Sequence, residues 1–90
     1  MLEATIIATN RLGLHARAAA KLVRLANTFK SSVSIKRCDT LVHANAKSIL
    51  SVLNLAAACG VELSVTAAGE DEAAALAAVE ELFAGKFGEE

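Results

Sequence analysis

The 90-residue sequence contains no proline, tryptophan or tyrosine, and phenylalanine occurs only three times. Domains that bind RNA on a sheet stack the bases on aromatic side chains. Phe29, Phe83 and Phe87 all lie outside the strands predicted below, so RNA binding of this kind is excluded. No repeat, proline-rich segment or low-complexity segment indicates a linker, so residues 1–90 are predicted to form one domain.

Cysteine and long apolar runs are equally scarce. Cys38 and Cys59 could form a single bridge, but we expect free thiols in a reducing cytoplasm. No uninterrupted apolar run approaches the roughly 18 residues that a spanning helix needs. No basic segment followed by an apolar one opens the chain, so no export signal is expected. These features predict a cytoplasmic protein that does not insert into a membrane.

Acidic residues are missing from residues 4–38, which contain seven basic residues. The remainder holds two basic and ten acidic residues, a balance of 2 − 10 = −8. The net charge of −1 predicts neither a nucleic acid nor a membrane partner. The uneven distribution instead predicts one electropositive region on a nearly neutral protein.

Alternation of apolar and polar residues marks the predicted strands. It is visible in residues 2–9 and clearest in residues 61–67. Residues 32–37 and 40–44 are predicted to be two short strands joined by a turn at Cys38–Asp39. An antiparallel sheet with one packed and one solvated face fits this pattern.

Helical spacing marks three further segments. Residues 16–28 have an apolar stripe that Phe29 extends, and residues 46–60 are predicted to be helical up to Gly60. The stripe of the first of these helices comprises Ala19, Leu22, Val23 and Ala26. A last helix follows the acidic residues 70–72, and its predicted buried stripe is Leu76, Val79 and Phe83. The predicted fold is therefore α+β, an open-faced sandwich of order β-α-β-β-α-β-α, with a four-stranded antiparallel sheet and three helices on one face.

The stretch "NRLGLHAR" begins the first helix with His15 instead of a Ser, Thr, Asp or Asn cap. Unpaired N–H groups at a helix start bind anions, and the guanidinium of Arg17 suits phosphate oxygens. Gly13 allows a tight turn just before, and the positive surroundings should keep His15 neutral and nucleophilic. We therefore expect a phosphoryl group on His15 to act as the missing cap. The alternative is an ordinary surface histidine on a solvated basic face.

Three longer segments of the sequence resemble those of a known protein family. "GLHARAAAKLV" resembles the active-site stretch of HPr, the histidine-containing phosphocarrier family of the bacterial phosphoenolpyruvate-dependent sugar phosphotransferase system. "AKSIL" resembles the regulatory-serine segment of that family, and "VELSVTAAGEDEAAALAAVEELF" resembles its last strand and helix. The resemblance extends over residues 2–88, and the order of predicted elements agrees with it.

The resemblance implies a role for each matched residue. His15 would take a phosphoryl group on Nδ1 from phosphorylated enzyme I and pass it to a histidine of a IIA domain, with Arg17 contacting the group. The predicted phosphate-binding amides are those of Ala16, Arg17 and Ala18. The family commonly has proline where this chain has Ala18, which adds one N–H donor. Such a carrier is no independent enzyme and needs no cofactor.

Two further expectations concern the second helix. Ser48 is predicted to cap it, and the resemblance implies phosphorylation of Ser48 by HPr kinase/phosphorylase. The apolar residues from 49 to 55 span more than one helical stripe, so some should be exposed. The predicted docking surface, on a protein expected to be a monomer, comprises Ile49, Leu50 and Leu53 with a basic rim of Arg17, Lys21 and Arg24. The alternative is a helix buried on two sides.

Two other functions are compatible with the predicted order of elements. A nitrogen-related phosphotransferase paralogue with a regulatory role, or a ferredoxin-like domain that binds a small molecule, would share the same order of elements. The spacing of histidine and cysteine matches no common zinc pattern, so no metal site is predicted. Hydrolytic chemistry is disfavoured because no paired carboxylates accompany a nucleophile.

Overall fold

The computed structural model describes residues 1–88, and these contain the strands and helices in the predicted order. A short turn at Lys86–Gly88 follows the last helix. The elements are β1 (Leu2–Ile7), α1 (Ala16–Ala26), β2 (Ser32–Arg37), β3 (His43–Asn45), α2 (Ile49–Leu53), β4 (Glu62–Ala68) and α3 (Glu72–Ala84).

The strands form one antiparallel sheet in the order β1-β4-β2-β3. The register places Val65 of β4 between Ala4 of β1 and Ile35 of β2, so apolar side chains lie side by side on one face. Period-2 alternation directs the polar residues of the same strands to the other face. The helices cover the apolar face, which confirms the predicted open-faced sandwich.

The core depends on small residues as well as large ones. Helices α1 and α3 bury Ala18, Ala19, Leu22, Ala26, Ala75, Leu76, Val79 and Phe83. The predicted stripe of α3 is confirmed, whereas Val23 in α1 is only half-buried. Alanine at the contacts allows the helices to approach closely at the packing density of a protein interior.

The second helix is much shorter than predicted. The sequence indicated a helix over residues 46–60, but α2 ends at Leu53, and Ala56 has a left-handed φ of 51°. Tertiary donors occupy the carbonyls that a longer helix would use. Arg37 Nη1 donates to the carbonyls of Leu55 and Ala56 at 2.9 and 3.1 Å.

The third strand is also shorter than the predicted 40–44. Leu41 has a left-handed φ of 62°, and its N–H donates to the Arg37 carbonyl at 2.9 Å. This turn interrupts the extended backbone, so pairing with β2 begins only at His43. Residue propensity alone could not indicate a left-handed leucine.

The turn that follows α3 has a left-handed backbone. Lys86, Phe87 and Gly88 have φ values of 55°, 58° and 74°. The Phe87 ring is buried and packs edge-to-face on Phe83 with a centroid distance of 4.8 Å. Packing of this ring stabilises backbone angles that two non-glycine residues rarely adopt.

Asp71 is predicted to make stability depend on acid pH. It accepts hydrogen bonds from the Ser31 hydroxyl and from the N–H groups of Lys30 and Ser31, which hold its pKa at about 2 rather than 3.8. A lowered folded-state pKa contributes stability that is present above the unfolded value and lost as pH falls through the folded value. We expect the Tm of the wild type to fall steeply between about pH 5 and pH 2.

The Asp71→Asn variant isolates this contribution. Its Tm should be lower than that of the wild type at neutral pH, and the difference should close as the pH approaches about 2. The pKa values of Asp39 and Glu72 are also lowered, by Arg37 and by the Gly69 N–H respectively, but both groups remain in both proteins. Parallel Tm curves for the two proteins would contradict the prediction.

Candidate functional site

The loop before α1 is held in place on two sides. The Gly13 N–H donates to the Asn10 carbonyl at 3.1 Å, and Asn10 Nδ2 donates to the Gly13 carbonyl at 2.7 Å. The Leu14 N–H donates to the Ala57 carbonyl at 2.8 Å, and the Leu14 side chain is buried. These contacts fix the position of the next residue, His15, whose side chain is half-buried.

His15 itself caps the first helix. Its backbone is extended, with φ −73° and ψ 177°, and its carbonyl accepts the first helical bond from the Ala19 N–H at 2.8 Å. Its Nδ1 accepts from the Arg17 N–H at 3.3 Å. The prediction of a helix start without a side-chain cap was therefore wrong. A ring nitrogen at this position replaces the usual carboxylate or hydroxyl oxygen.

This contact determines where the ring proton lies. A nitrogen that faces an N–H donor must present its lone pair, so the neutral ring carries its proton on Nε2. The Nδ1 lone pair therefore lies over the start of α1, where the helix dipole favours negative charge. An anion that displaced the ring from the Arg17 N–H would find that donor already oriented.

His15 opens into a depression of about 710 Å³. None of its described lining residues is acidic, and three of them are cationic, so the local field attracts anions. The three basic residues come from the seven in the N-terminal half of the chain. The lining residues are Arg11, Leu12, His15, Ala16, Arg17, Lys21 and Gly88.

The structure adds residues that the sequence analysis did not assign to the site. Arg11 lay within the basic N-terminal half, but nothing singled it out, and Gly88 comes from the opposite end of the described chain. Conversely, Arg24 is exposed on α1 but does not line the depression. Of the predicted basic rim, only Arg17 and Lys21 share the depression with His15.

The predicted apolar surface on α2 is exposed. Leu50 is 72% exposed, and Ile49 and Leu53 are 38% and 37% exposed. Val52 and Leu55 are buried in the core. The prediction that this helix has an exposed apolar side is confirmed, and the alternative of a helix buried on two sides is wrong.

Ser48 caps α2 as predicted. Its backbone is extended, and its hydroxyl oxygen accepts from the Ser51 N–H at 3.4 Å. The Ser51 hydroxyl in turn accepts from the Asn45 N–H at 2.8 Å, which ties the end of β3 to the helix. Ser48 is half-buried beside the exposed leucines of α2.

The described residues, 1–88, offer no metal-binding cluster and no membrane-spanning helix. Cys38 and Cys59 are exposed free thiols. Among the described residues, no group of three or more His, Cys, Asp or Glu side chains could hold a metal ion. No described helix has the length and apolar character needed to cross a membrane.

Comparison with known proteins gives consistent matches along the chain. The family model described as the PTS HPr component phosphorylation site matches residues 2–85. The chain is 48% identical over 90 residues to phosphocarrier protein HPr of Treponema pallidum, and the match covers all of both proteins. It is also 41% identical over 86 residues to phosphocarrier protein NPr of Escherichia coli, covering 96% of this chain and 94% of NPr.

A solved structure agrees with the fold as well. The crystal structure of HPr-C-His from Thermoanaerobacter tengcongensis superposes with a TM-score of 0.93 at 39% sequence identity. The superposition covers all of this chain and 99% of the other.

Proposed function

The chain belongs to the HPr family of phosphocarriers, and on that basis we propose that it accepts a phosphoryl group on His15 from phosphorylated enzyme I and passes it to a histidine of a IIA domain. The observation that carries this proposal is the Nδ1 lone pair of His15, held over the start of α1 in a basic depression. The protein would act as a cytoplasmic monomer in sugar uptake or its regulation. It would be a covalent intermediate without turnover of its own.

The proposed transfer is a displacement at phosphorus. The Nδ1 lone pair of His15 forms the new N–P bond as the bond between phosphorus and its donor atom on enzyme I breaks, and the donor keeps that electron pair. The proton on Nε2 stays in place. The phosphorylated ring is then cationic and can leave with its electron pair when a histidine of the IIA domain attacks phosphorus.

The start of α1 is suited to hold the phosphoryl oxygens. Once Nδ1 is bonded to phosphorus it can no longer accept from the Arg17 N–H, so a phosphoryl oxygen takes its place as the cap. The N–H groups of Ala16 and Ala18 precede the first helical bond and are further candidate donors. The guanidinium of Arg17 adds charge-assisted hydrogen bonds.

Phosphorylation in vitro tests this function directly. The protein is mixed with phosphoenolpyruvate and a catalytic amount of enzyme I, and its intact mass is measured. We expect a gain of one phosphate that is lost in mild acid, as expected for phosphohistidine. A protein that gains no phosphate, or gains only an acid-stable one, would refute the proposal.

A nitrogen-related role is the second candidate. The identity of 41% to NPr over nearly the whole chain favours it, since NPr is also a phosphocarrier of this family. The identity of the acceptor distinguishes the two roles. Phosphorylated protein should therefore be offered to IIA domains of both branches in parallel, and the faster transfer assigns the branch.

The docking role of α2 is tested by Leu50→Ala. Truncating an interface anchor commonly costs more than about 1 kcal/mol of binding, so we expect phosphorylation by enzyme I to show a roughly tenfold lower kcat/KM. Leu50 is 72% exposed, so the free energy of unfolding should change by less than about 0.5 kcal/mol.

Leu41→Ala is the matched control. Leu41 is 63% exposed but lies in the turn between β2 and β3 rather than on α2. Its variant should be phosphorylated at the wild-type rate. An equal loss in both variants would show that exposed leucines act without a specific docking surface.

We also propose that Ser48 is a regulatory phosphorylation site for HPr kinase/phosphorylase. A phosphate would add about −1.5 to −2 charges beside the exposed leucines of α2, where it would oppose docking of an acidic or apolar partner surface.

Kinase and ATP should phosphorylate the wild type and Ser34→Ala, which changes an exposed serine of β2, but not Ser48→Ala. The serine-phosphorylated protein should accept phosphate from enzyme I about tenfold more slowly. Incorporation into Ser48→Ala would contradict the assignment.

A further inference from the structure

The side chain of Lys21 is held at the edge of the His15 depression by a backbone carbonyl from near the end of the described chain. Its ammonium group donates a hydrogen bond to the carbonyl of Phe87, which is 66 positions away in sequence. Lys21 and Gly88 both line the depression, and Lys21 is half-buried there. A lysine that only kept the protein soluble would extend into water with its full rotamer freedom.

We propose that Lys21 is a further phosphoryl-binding residue and that the C-terminal turn, Lys86–Gly88, is the element that positions it. This inference rests on the proposed phosphocarrier function and adds a residue to its site. The Phe87 carbonyl acts through Lys21 and is a positioning group, whereas the ammonium group contacts the phosphoryl oxygens itself.

The donor count of lysine supports this role. An ammonium group has three N–H donors, and the Phe87 carbonyl takes one of them. The others can serve a phosphoryl group on His15. Lys21 also lies four residues after Arg17 on α1, a spacing that places both side chains on one face of the helix. Two cations on that face can approach the same oxygens.

The C-terminal turn orients the Phe87 carbonyl toward Lys21. Phe87 has a left-handed φ of 58°, and its ring is anchored against Phe83 in the core. With the ring buried, the carbonyl of the same residue faces Lys21. The packing of Phe87 on Phe83 in the core thus helps to fix the position of the Lys21 ammonium group at the site.

A second lysine provides the matched control. Lys47 Nζ donates to the carbonyl of Phe29 at 2.8 Å, so it makes the same kind of hydrogen bond, and it too is half-buried. Lys47 does not line the His15 depression. Lys21→Met and Lys47→Met therefore each remove one positive charge and one hydrogen bond from a lysine to a backbone carbonyl. Only Lys21→Met removes them at the His15 depression.

The test is an equilibrium competition for phosphate. Phosphorylated, isotope-labelled wild type is mixed with an equal amount of unlabelled variant and a catalytic amount of enzyme I, which redistributes phosphate between them. Intact-mass spectrometry then gives the ratio of the two phosphorylated fractions at equilibrium. Because enzyme I cannot change an equilibrium, weaker docking by a variant does not alter the ratio.

Each variant has a defined expectation. Lys21→Met should hold phosphate about three- to tenfold less well than the wild type, Lys21→Arg should stay within about twofold, and Lys47→Met should match the wild type. A ratio of one for Lys21→Met, an equal loss for Lys47→Met, or a failure of Lys21→Arg to retain phosphate would overturn the inference. If no protein becomes phosphorylated, the phosphocarrier function itself is refuted and this inference falls with it.

Discussion

The His15→Ala variant is expected to gain no acid-labile phosphate from enzyme I and phosphoenolpyruvate. The reason is chemical, because alanine has no lone pair that could bond to phosphorus and none of the other residues lining the depression is a histidine. The loss should be complete rather than partial. It is measured as the phosphorylated fraction in the intact-mass spectrum after an incubation that saturates the wild type.

Stability must be measured alongside this loss. His15 contributes one cap, the 3.3 Å bond from the Arg17 N–H, and removal of a helix cap costs roughly 1 kcal/mol. For a domain of this size that corresponds to a decrease in Tm of about 4–8 °C. A folded His15→Ala protein separates lost chemistry from lost structure.

His43→Ala is the control for histidine content. His43 is exposed on β3 and belongs to the solvated face of the sheet, where it borders a shallow depression with Ser34 and Thr66. This variant should be phosphorylated like the wild type. Retained labile phosphate in His15→Ala, or its loss in His43→Ala, would show that the acceptor has been misassigned.

The Gly13→Ala variant is expected to lose roughly 2–4 kcal/mol of folding free energy. Gly13 has a φ of +65°, and a Cβ at this position would lie 2.3 Å from the Ala57 carbonyl oxygen and 2.8 Å from Ala58 Cα. Both obstacles are backbone atoms, so a side-chain rotation cannot relieve the overlap. The loops must separate, which breaks the bond between the Leu14 N–H and the Ala57 carbonyl.

Gly60→Ala separates backbone strain from steric overlap. Gly60 has a φ of +93°, but a Cβ there would meet nothing within 4 Å. The Gly60→Ala variant should lose about 1 kcal/mol of folding free energy, because only the strain of a left-handed alanine backbone destabilises it. Chemical denaturation of both variants gives the comparison. Equal losses would mean that the close approach of Gly13 to residues 57 and 58 has little energetic weight.

The fold was largely accessible from local patterns. The alternation in β4 and the stripe of α3 predicted the buried residues, because period and burial are directly linked in regular elements. The prediction failed where distant groups intervene. Residues 54–60 have helical composition, yet Arg37 captures the carbonyls of Leu55 and Ala56 and Gly60 bonds to the Ala8 carbonyl.

Some features of the candidate site follow from the local sequence, and others depend on the tertiary structure. The string from Gly13 to Arg17 predicted the histidine, its neighbouring amides and one cation as site residues, since all of them lie within one tight turn and the first turn of α1. That His15 would use its own Nδ1 as the cap depends on its rotamer, which sequence does not specify. Arg11 joined the site only because the loop folds it beside α1.

The sequence by itself therefore determined the order of elements, the apolar face of the sheet and the family, because these depend on residue type and spacing along the chain. Tertiary structure alone decided where α2 stops, which leucines stay in water and how the turn at Lys86–Gly88 brings the Phe87 carbonyl to Lys21. The physical reason is that these features depend on hydrogen bonds and close contacts between residues that are far apart in the chain. Such contacts exist only once the helices have packed on the sheet.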